Sequence, residues 1–417
     1  MRNTYDVIVI GLGIMGASAL WRVASKCTRV LGIDASSPTH SYGSSHGNSR
    51  IFRRAYWEGE KYLPLLNQSD LLWKELEELM QQKLLFRTGG IFVGHQSSHV
   101  VAGSIETARK GGIEHAVWSE SETRSHFPAF NVSDGSQAVF EPGAYAISAC
   151  EARLGMLNEA VHQGAIIEFG NSVTGLQTSG LGMRLSTRSG QTYSAKAVIV
   201  TAGPWIGTHL LPELERYIEP RQIPVFWFKP KTGFGNLFSS DQFPIFLYEH
   251  QDGALLYGVP SILSNEPGVK IGFHNRQQTP AAPNWKNIPV HKRYLDEISQ
   301  VVGDLFPKLQ RSPIQAKNCF YTLSPDESFL IGESQALKSS FFASACSGHG
   351  FKFAPAIGDA LACMAVGLKP YVSLAAFSAD RFYNVSPEFR ECPPGSTTQS
   401  LRREKPQSRV DGAHHKE

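Results

Sequence analysis

The sequence has few cysteines, few charged residues and no long apolar run, and each shortage excludes a class of protein. Its six cysteines are scattered over 417 residues without a C-x-x-C pair. That pattern argues against a zinc site and against a disulfide framework, and it favours a reducing cytoplasm. Charged residues make up 18% and the formal net charge is +3, so the chain lacks the basic surface that nucleic acid requires. No apolar run approaches the ~20 residues of a membrane-spanning helix, and the first strand starts too early for a cleaved signal peptide. We therefore expect a globular protein without a nucleic-acid, membrane or metal partner.

The first motif lies almost at the start of the chain, in YDVIVIGLGIMGASALWRVASKCTRVLGIDA. A short apolar run, 6–10, predicts a buried strand; a helix is expected over 17–25, and a second apolar run, 29–33, ends at Asp34. Between the first strand and the helix stand three glycines in G-x-G-x-x-G spacing, Gly11, Gly13 and Gly16. Such glycines allow a tight turn, close approach of backbone to a pyrophosphate and close helix packing, and the acid accepts hydrogen bonds from a ribose. The motif predicts an adenine dinucleotide and leaves open whether it is FAD or NAD.

The remaining patterns predict an α/β fold in which the nucleotide domain is discontinuous. Helices are expected at 62–83 and 149–163, and strands at 89–94, 166–169 and 195–205, the last ending in Ala202-Gly203. Residues 224–320 are strand-rich, and 341–367 return to strand, Gly-rich turn and helix. We predict a Rossmann-like FAD-binding domain from 1–85, 150–222 and 320–385, a β-sheet-rich substrate domain from 86–149 and 223–319, and a disordered tail at 393–417. This arrangement favours a flavoenzyme over a two-domain NAD dehydrogenase.

Several stretches spread over residues 5 to 380 together resemble one known family. They are VIVIGLGIMG, GSSHGNSRIFRRAYWEGEKYLPL, TAGPW, PGVKIGFH, CFYTLSPDESFLIGE and SGHGFKF. The chain resembles the FAD-dependent amine oxidases of the D-amino-acid-oxidase superfamily, in the subgroup of monomeric sarcosine, N-methyltryptophan and pipecolate oxidases. The resemblance implies a cytoplasmic monomer that oxidises a secondary amino acid or amine, N-methyl or cyclic, to an imine. The imine is then hydrolysed, and O2 is reduced to H2O2.

The same resemblance implies roles for four residues at the flavin and the substrate. Cys319 matches the cysteine that is joined to the flavin ring by a thioether; a buried structural thiol is the competing interpretation. Arg53 and Lys352 match two cations that bind the substrate carboxylate, and Lys270 matches the lysine over the flavin where oxygen reacts. Ordinary surface charges are the alternative for these three.

Further assignments rest on the resemblance alone. Arg50 and His46 match basic residues beside the flavin ring with a catalytic tuning role. Three pocket residues match substrate contacts, Tyr257, His274 and Tyr321. The remaining cofactor-binding positions are Ser44, Ala202, Gly203, Gly348 and Gly350. Arg54 and Leu247 depart from residues common in the subgroup, and the loop before Lys270 is longer, so the amine substituent stays open.

Three alternatives follow. A cyclic amino acid such as pipecolate or proline, or a bulky cyclic amine, would keep the chemistry and change the substrate. An NAD-linked dehydrogenase would be colourless, with no flavin on Cys319. A non-catalytic flavin-binding protein would hold a flavin that no amine reduces.

Overall fold

The computed structural model describes residues 3–180, 182–282 and 289–383, so the tail predicted to be disordered lies outside the described residues. Up to Ser378 the chain forms one compact unit; a second unit begins at Ala379. The strands are β1 Thr4–Ile10, β2 Val30–Asp34, β3 Ser49–Phe52, β4 Leu85–Phe86, β5 Gly90–His95, β6 Ala116–Ser119, β7 Ser136–Glu141, β8 Tyr145–Ser148, β9 Ile166–Phe169, β10 Val173–Ser179, β11 Gly182–Thr187, β12 Thr192–Val200, β13 Glu219–Phe228, β14 Ile245–Glu249, β15 Leu255–Val259, β16 Val269–Phe273, β17 Thr279–Pro280, β18 Gln315–Leu323, β19 Leu330–Glu333 and β20 Ser340–Ser344.

The helices are α1 Ile14–Ala24, α2 Leu63–Met80, α3 His99–Lys110, α4 Glu120–His126, α5 Ala149–His162, α6 Lys292–Leu305, α7 Ala354–Ala365 and, in the second unit, α8 Asp380–Tyr383. Within the described ranges, none of them is both long enough and apolar enough to cross a bilayer.

The first sheet has a parallel core of five strands in the order β9-β2-β1-β12-β20. The antiparallel pair β10–β11 extends it beside β12, and β19 pairs with β20. β1 is buried along nearly its whole length, as its continuous Val/Ile run predicts for a central parallel strand. Helix α1 packs against α5 and α7. Because ligands of such sheets bind beyond the carboxyl ends of the strands, the loops after β1, β2, β12 and β20 mark the expected binding edge.

The second sheet has the order β17-β13-β16-β15-β14-β5-β7-β6, with β18 beside β13. Its residues alternate between two faces, as strand geometry requires. One face packs on α6 through a Phe-rich core that includes Phe226, Phe246 and Ile271. The neighbouring residues therefore point the other way. Register aligns Phe92, Leu247 and Tyr257 across β5, β14 and β15, and Tyr257 faces Gly272.

A small third sheet, β3-β8-β4, packs against both larger ones, since Phe52 shares a core with β1 and Ala146 clusters with Val259 of β15. β3 carries Arg50 and leads directly into Arg53. Its Phe52 is fully buried and stacks on Tyr145 of β8, with ring centroids 4.4 Å apart. This packing positions Arg50 within β3 and Arg53 directly after it.

The structure confirms the predicted α/β class, with differences at the ends of elements and in one region. α1 begins at Ile14 rather than 17, because Gly16 fits within its first turn. The strand predicted at 195–205 ends at Val200. The strand-rich region 224–320 also contains α6, whose buried Ile298, Val302 and Leu305 recur at helical spacing. The predicted domain boundaries stay a prediction.

Candidate active site

One continuous cavity of about 1320 Å³ connects the dinucleotide motif with the second sheet. Its volume exceeds the roughly 300–1,000 Å³ of common small-molecule pockets, which fits a ligand as long as a dinucleotide together with a substrate. Every residue that the sequence nominates borders it, except Gly16. Gly16 lies in the first turn of α1, where a Cβ would collide with the carbonyl oxygen of Gly11.

The turn after β1 has no room for a side chain at Gly11. Gly11 adopts φ 85°, and a Cβ there would lie 2.8 Å from both the Thr201 carbonyl oxygen and Ala202 Cα. Gly13 caps α1 without a side-chain hydrogen bond to the helix. The Ser45 hydroxyl accepts from Ile14 N–H at 2.9 Å. The backbone is thus exposed to the cavity at a helix N-terminus, which suits a pyrophosphate.

Asp34, at the end of β2, is 7% exposed and holds this turn in place. Its carboxylate accepts backbone N–H groups from Leu12 at 2.6 Å and Ser36 at 2.8 Å. Two carboxylate oxygens offer about four acceptor positions, so acceptor capacity remains for ribose hydroxyls. Arg153 of α5, which the sequence analysis missed, donates to the carbonyl oxygens of Leu12 and Pro38 and also borders the cavity.

A cationic group lies where the third sheet meets the second. Arg50 donates to the carbonyl oxygens of Ser44, His46 and Ser49 at 2.7–2.9 Å. Lys270 of β16 is 5% exposed, and its Nζ donates to the Ser49 carbonyl oxygen. Burial, and then the Arg50 charge, lowers the pKa of Lys270 to about 7. The interpretation of Lys270 as an exposed lysine is therefore wrong.

His46 lies among these cations and borders the cavity. Burial lowers its pKa to about 4, assisted by the charges of Arg50, Lys317 and Lys270. At neutral pH the imidazole is uncharged, so it is available as a polar neighbour rather than as a third cation.

The structure brings Arg53 and Lys352 together although 299 positions of sequence separate them. Both are buried, at 3% and 5% exposure, and both lie against the ring of Tyr56. One Arg53 nitrogen, Nη2, donates to both oxygens of Glu58, at 2.6 and 2.7 Å. Although burial opposes its ionisation, Glu58 has a lowered pKa because Arg53, His349 and Lys352 surround it. Two buried cations and one carboxylate leave an excess of positive charge, which suits one carboxylate ligand.

Burial, and then the Arg53 charge, lowers the pKa of Lys352 to about 7, while Glu58 opposes that shift. Its Nζ donates to the His349 carbonyl oxygen at 2.6 Å and to Tyr56 Oη at 3.5 Å. The alternative that Arg53 and Lys352 are surface charges is therefore wrong.

The three predicted pocket residues, Tyr257, His274 and Tyr321, all border the cavity. Tyr321 Oη and His274 Nδ1 lie 3.5 Å apart. Gly348, at φ 77°, leaves room for both rings, since a Cβ there would lie 2.5 Å from Tyr321 Cε2. Burial lowers the pKa of His274 to about 4 and raises that of Tyr257. All three rings are neutral near pH 7.

Cys319 of β18 borders the cavity, and its Sγ lies 3.9 Å from the Phe320 carbonyl oxygen. Burial raises its pKa, although the charges of Arg50 and Lys270 act in the opposite direction. Cys346, which the sequence analysis did not single out, also lies 3.9 Å from the Phe320 carbonyl oxygen. The two sulfurs are therefore no further apart than twice that distance, and both border the cavity.

Other cavity residues escaped the sequence analysis. Glu58, Trp57 and His349 stand in quoted motifs, but no spacing rule marks them. Trp57 joins Leu247, Leu255 and Tyr257 in an apolar cluster beside Arg53. Trp57 lies four positions after the predicted Arg53, and an aromatic residue so near a nominated cation was the available signal for it.

The residues present fit FAD. Gly11 and Gly13 expose backbone to the cavity, Asp34 retains acceptor positions for ribose hydroxyls, and Cys319 borders the far end. Between the two ends, cations and neutral aromatic rings line the path.

Comparison with known proteins agrees with this geometry. Monomeric sarcosine oxidase of Streptomyces avermitilis is 34% identical over 367 residues, covering 88% of this chain and 94% of the relative. N-methyl-L-tryptophan oxidase of Yersinia pestis is 32% identical over 381 residues, covering 91% and 99%.

Among solved structures, the amino acid oxidase NikD, essential for nikkomycin biosynthesis, matches with a TM-score of 0.77 at 21% identity, over 90% of this chain and 97% of that one. L-proline dehydrogenase from P. horikoshii matches with 0.76 at 20% identity, over 91% and 98%. At such identities these structures show the fold. The profile of the family described as FAD dependent oxidoreductase matches residues 6–364. The chain belongs to this family of FAD-dependent oxidoreductases, and FAD is its cofactor.

Proposed function

We propose that this protein oxidises an N-methyl amino acid to an imine, with FAD joined to Cys319 and O2 as the electron acceptor that yields H2O2. The observation that carries the proposal is the convergence of Arg53 and Lys352, both buried, in the cavity that begins at the dinucleotide motif. The names of the relatives, sarcosine and N-methyl-L-tryptophan oxidases, support an N-methyl amino acid as substrate.

Bound FAD supplies the acceptor for a hydride equivalent from the substrate carbon. Arg53 and Lys352 would hold the carboxylate and so fix the substrate in the cavity. Orientation of this kind accounts for a large part of many enzymatic rate enhancements.

The surrounding charges would also keep the substrate amine neutral. A secondary amine is protonated in water, and its lone pair is then unavailable for oxidation. Nearby positive charges disfavour a further cation. Arg50 and Arg53 border the cavity, and Lys270 and Lys352, whose pKa values are lowered to about 7, add positive charge there when protonated. His274, with a pKa of about 4, adds no charge. We infer that the site binds the amine with its proton lost.

Lys270 would act in the second half of the reaction. A buried cation stabilises negative charge that develops on oxygen as it accepts electrons. In Lys270→Met, we expect reoxidation of the reduced protein by O2 to slow by about 100-fold or more, while anaerobic reduction by substrate changes far less. Stopped-flow absorbance measures both steps. Equal losses in the two steps would refute this role.

A substrate panel tests the proposed function. Purified yellow protein is mixed with sarcosine, N-methyl-L-tryptophan, L-proline and L-pipecolate, and H2O2 release is measured. Oxidation of the N-methyl amino acids is the expected result. Turnover of only the cyclic amino acids would move the function to the cyclic alternative. A flavin that no amine reduces without oxygen would indicate a non-catalytic protein.

The proposal also includes a monomeric state and a cytoplasmic location. The dispersed cysteines support the location. Light scattering after size exclusion tests the first, since a dimer would contradict it, and cell fractionation tests the second.

A further inference from the structure

Tyr56 is the residue that contacts both cations of the proposed carboxylate site. Its ring centroid lies 4.3 Å from Arg53 Cζ and 5.1 Å from Lys352 Nζ. Its hydroxyl oxygen lies 2.7 Å from His349 Nδ1 and 3.5 Å from Lys352 Nζ. Tyr56 is fully buried. The hydroxyl thus lies between the imidazole and the ammonium group, away from solvent.

The direction of these hydrogen bonds follows from the partners of His349. Burial lowers the pKa of this imidazole to about 3, so it is neutral and carries one N–H. Its Nε2 lies 3.4 Å from the Glu327 carbonyl oxygen, which only accepts. Glu58 also faces the Tyr56 hydroxyl, but both of its oxygens already accept from Arg53, whereas Nδ1 lies only 2.7 Å from the hydroxyl. We therefore assign the histidine proton to Nε2, and Nδ1 accepts from the Tyr56 hydroxyl. The Tyr56 oxygen then turns its lone pairs towards Lys352.

The ammonium group of Lys352 has three N–H donors. The His349 carbonyl oxygen accepts one at 2.6 Å, and Tyr56 Oη accepts a second at 3.5 Å. Among the described residues, these backbone and side-chain oxygens are the acceptors within hydrogen-bond distance of Lys352 Nζ, so a third N–H remains for a ligand.

We propose that Tyr56 and His349 are positioning residues that hold Lys352 through two of its donors and direct the third at the substrate carboxylate. The inference rests on the proposed function for the identity of the ligand. His349 acts twice, through its carbonyl oxygen on Lys352 and through its ring on the Tyr56 hydroxyl. Trp73 anchors the backbone of Lys352 by donating Nε1–H to its carbonyl oxygen at 2.9 Å, so the side chain is the part left to position.

The hydroxyl is separable from the ring. Tyr56→Phe keeps the aromatic face beneath Arg53 and the packing against Tyr62 and Phe353. It removes the second acceptor of Lys352 and the donor to His349. A loss confined to carboxylate binding would therefore belong to the hydrogen bonds and not to the packing.

A double-mutant cycle in the FAD-loaded protein tests the proposal, with isobutyrate as a non-oxidisable carboxylate. Dissociation constants are measured by flavin absorbance and by calorimetry for the unchanged protein, Tyr56→Phe, Lys352→Met and the double variant. We expect Tyr56→Phe to weaken binding about 10-fold and Lys352→Met about 100-fold. The double variant should match Lys352→Met within about twofold, because Tyr56 acts through Lys352. If isobutyrate binding becomes too weak to measure, the same four proteins are compared by kcat/KM for the amine substrate.

Three further variants separate positioning from structure. His349→Asn retains an acceptor oxygen near the Nδ1 position and should recover binding to within about threefold of the unchanged protein, whereas His349→Leu should resemble Tyr56→Phe. Tyr62→Phe is the matched control, because its hydroxyl lies 3.3 Å from Ser328 Oγ in the same aromatic cluster. It should leave isobutyrate binding unchanged.

The outcomes distinguish this inference from the proposed reaction. Losses that multiply in the double variant, or no binding of isobutyrate by the unchanged protein, would overturn the inference. A non-additive cycle in a protein that oxidises no secondary amine would support the inference and refute the reaction.

Discussion

The two ends of the cavity recognise their ligands by different means. At the adenosine end, backbone groups and Asp34 from the continuous segment between β1 and Ser45 line the cavity, and Arg153 of α5 lies beside them. At the substrate end, charged side chains line it, and they come from separate segments around Arg53, Lys270, Cys319 and Lys352. We infer that the first end determines whether FAD is held, whereas the second determines what FAD reacts with.

The largest expected effect belongs to the adenosine end. Gly11→Ala should yield protein without FAD, because its Cβ would meet backbone atoms at 2.8 Å and alanine rarely adopts φ 85°. FAD content is measured as the ratio of flavin absorbance to protein absorbance in the purified protein. Gly332→Ala in β19 is the matched control, since its Cβ would meet no described atom within 4 Å and Gly332 lies outside the cavity lining. Full FAD content in Gly11→Ala would break the assignment of this turn to the dinucleotide.

The next effect lies at the opposite end and separates holding the cofactor from bonding it. Cys319→Ser should still bind FAD, but should release all of it on acid precipitation, because serine cannot form the thioether. In the unchanged protein, Cys346 Sγ is as close to the Phe320 carbonyl oxygen as Cys319 Sγ is. Cys346→Ser should nevertheless give a yellow precipitate, because Cys319 still holds the flavin. The mass of the denatured chains checks both. A yellow Cys319→Ser precipitate would refute the linkage, and a colourless Cys346→Ser precipitate would assign it to the other thiol.

The same contrast explains how much the sequence could predict. Gly11, Gly13, Gly16 and Asp34 predicted the adenosine end, because most of this part of the site is built from one continuous segment of strand, turn and helix. Arg153 was missed there, since its contacts to Leu12 and Pro38 depend on how α5 packs.

At the substrate end, no local spacing predicts that Arg53 meets Lys352, so only the family resemblance nominated them. Tyr56 and His349 stand in the same motifs as these cations, yet their hydrogen bond joins residues 293 positions apart. In the fold, β10 was not predicted because none of its residues is buried, so it lacks an apolar run, and β11 has only short alternation over six residues. α6 was hidden within a strand-rich region.

A smaller effect, confined to the substrate end, is the pH dependence of carboxylate binding. Lys352 must be protonated to bind, and its folded-state pKa is lowered to about 7. Isobutyrate affinity should therefore be highest near pH 6, where the ligand is ionised and Lys352 is protonated, and should fall as pH rises, by on the order of 30-fold or more between pH 7 and 9. His274 and His349, with pKa values of about 4 and 3, do not titrate in this range.

Lys352→Arg is the control for this pH dependence, because a guanidinium stays charged throughout the range. Its affinity should change little up to pH 9. An equally steep fall in Lys352→Arg would assign the titration to another group, and Lys270, whose pKa is also about 7, would be the first to test.

The smallest expected effect concerns substrate size. Trp57 borders the cavity beside Arg53 and shares an apolar cluster with Leu247, Leu255 and Tyr257. Trp57→Ala enlarges this wall without removing a charge, so the ratio of kcat/KM for N-methyl-L-tryptophan to that for sarcosine should rise by roughly 3–10-fold. Leu255→Met, which nearly conserves volume in the same cluster, should leave the ratio unchanged. If Trp57→Ala lowers kcat/KM for both substrates equally, then Trp57 supports the carboxylate site and does not select the side chain. Carboxylate binding and substrate selection would then not belong to separate residues at the substrate end.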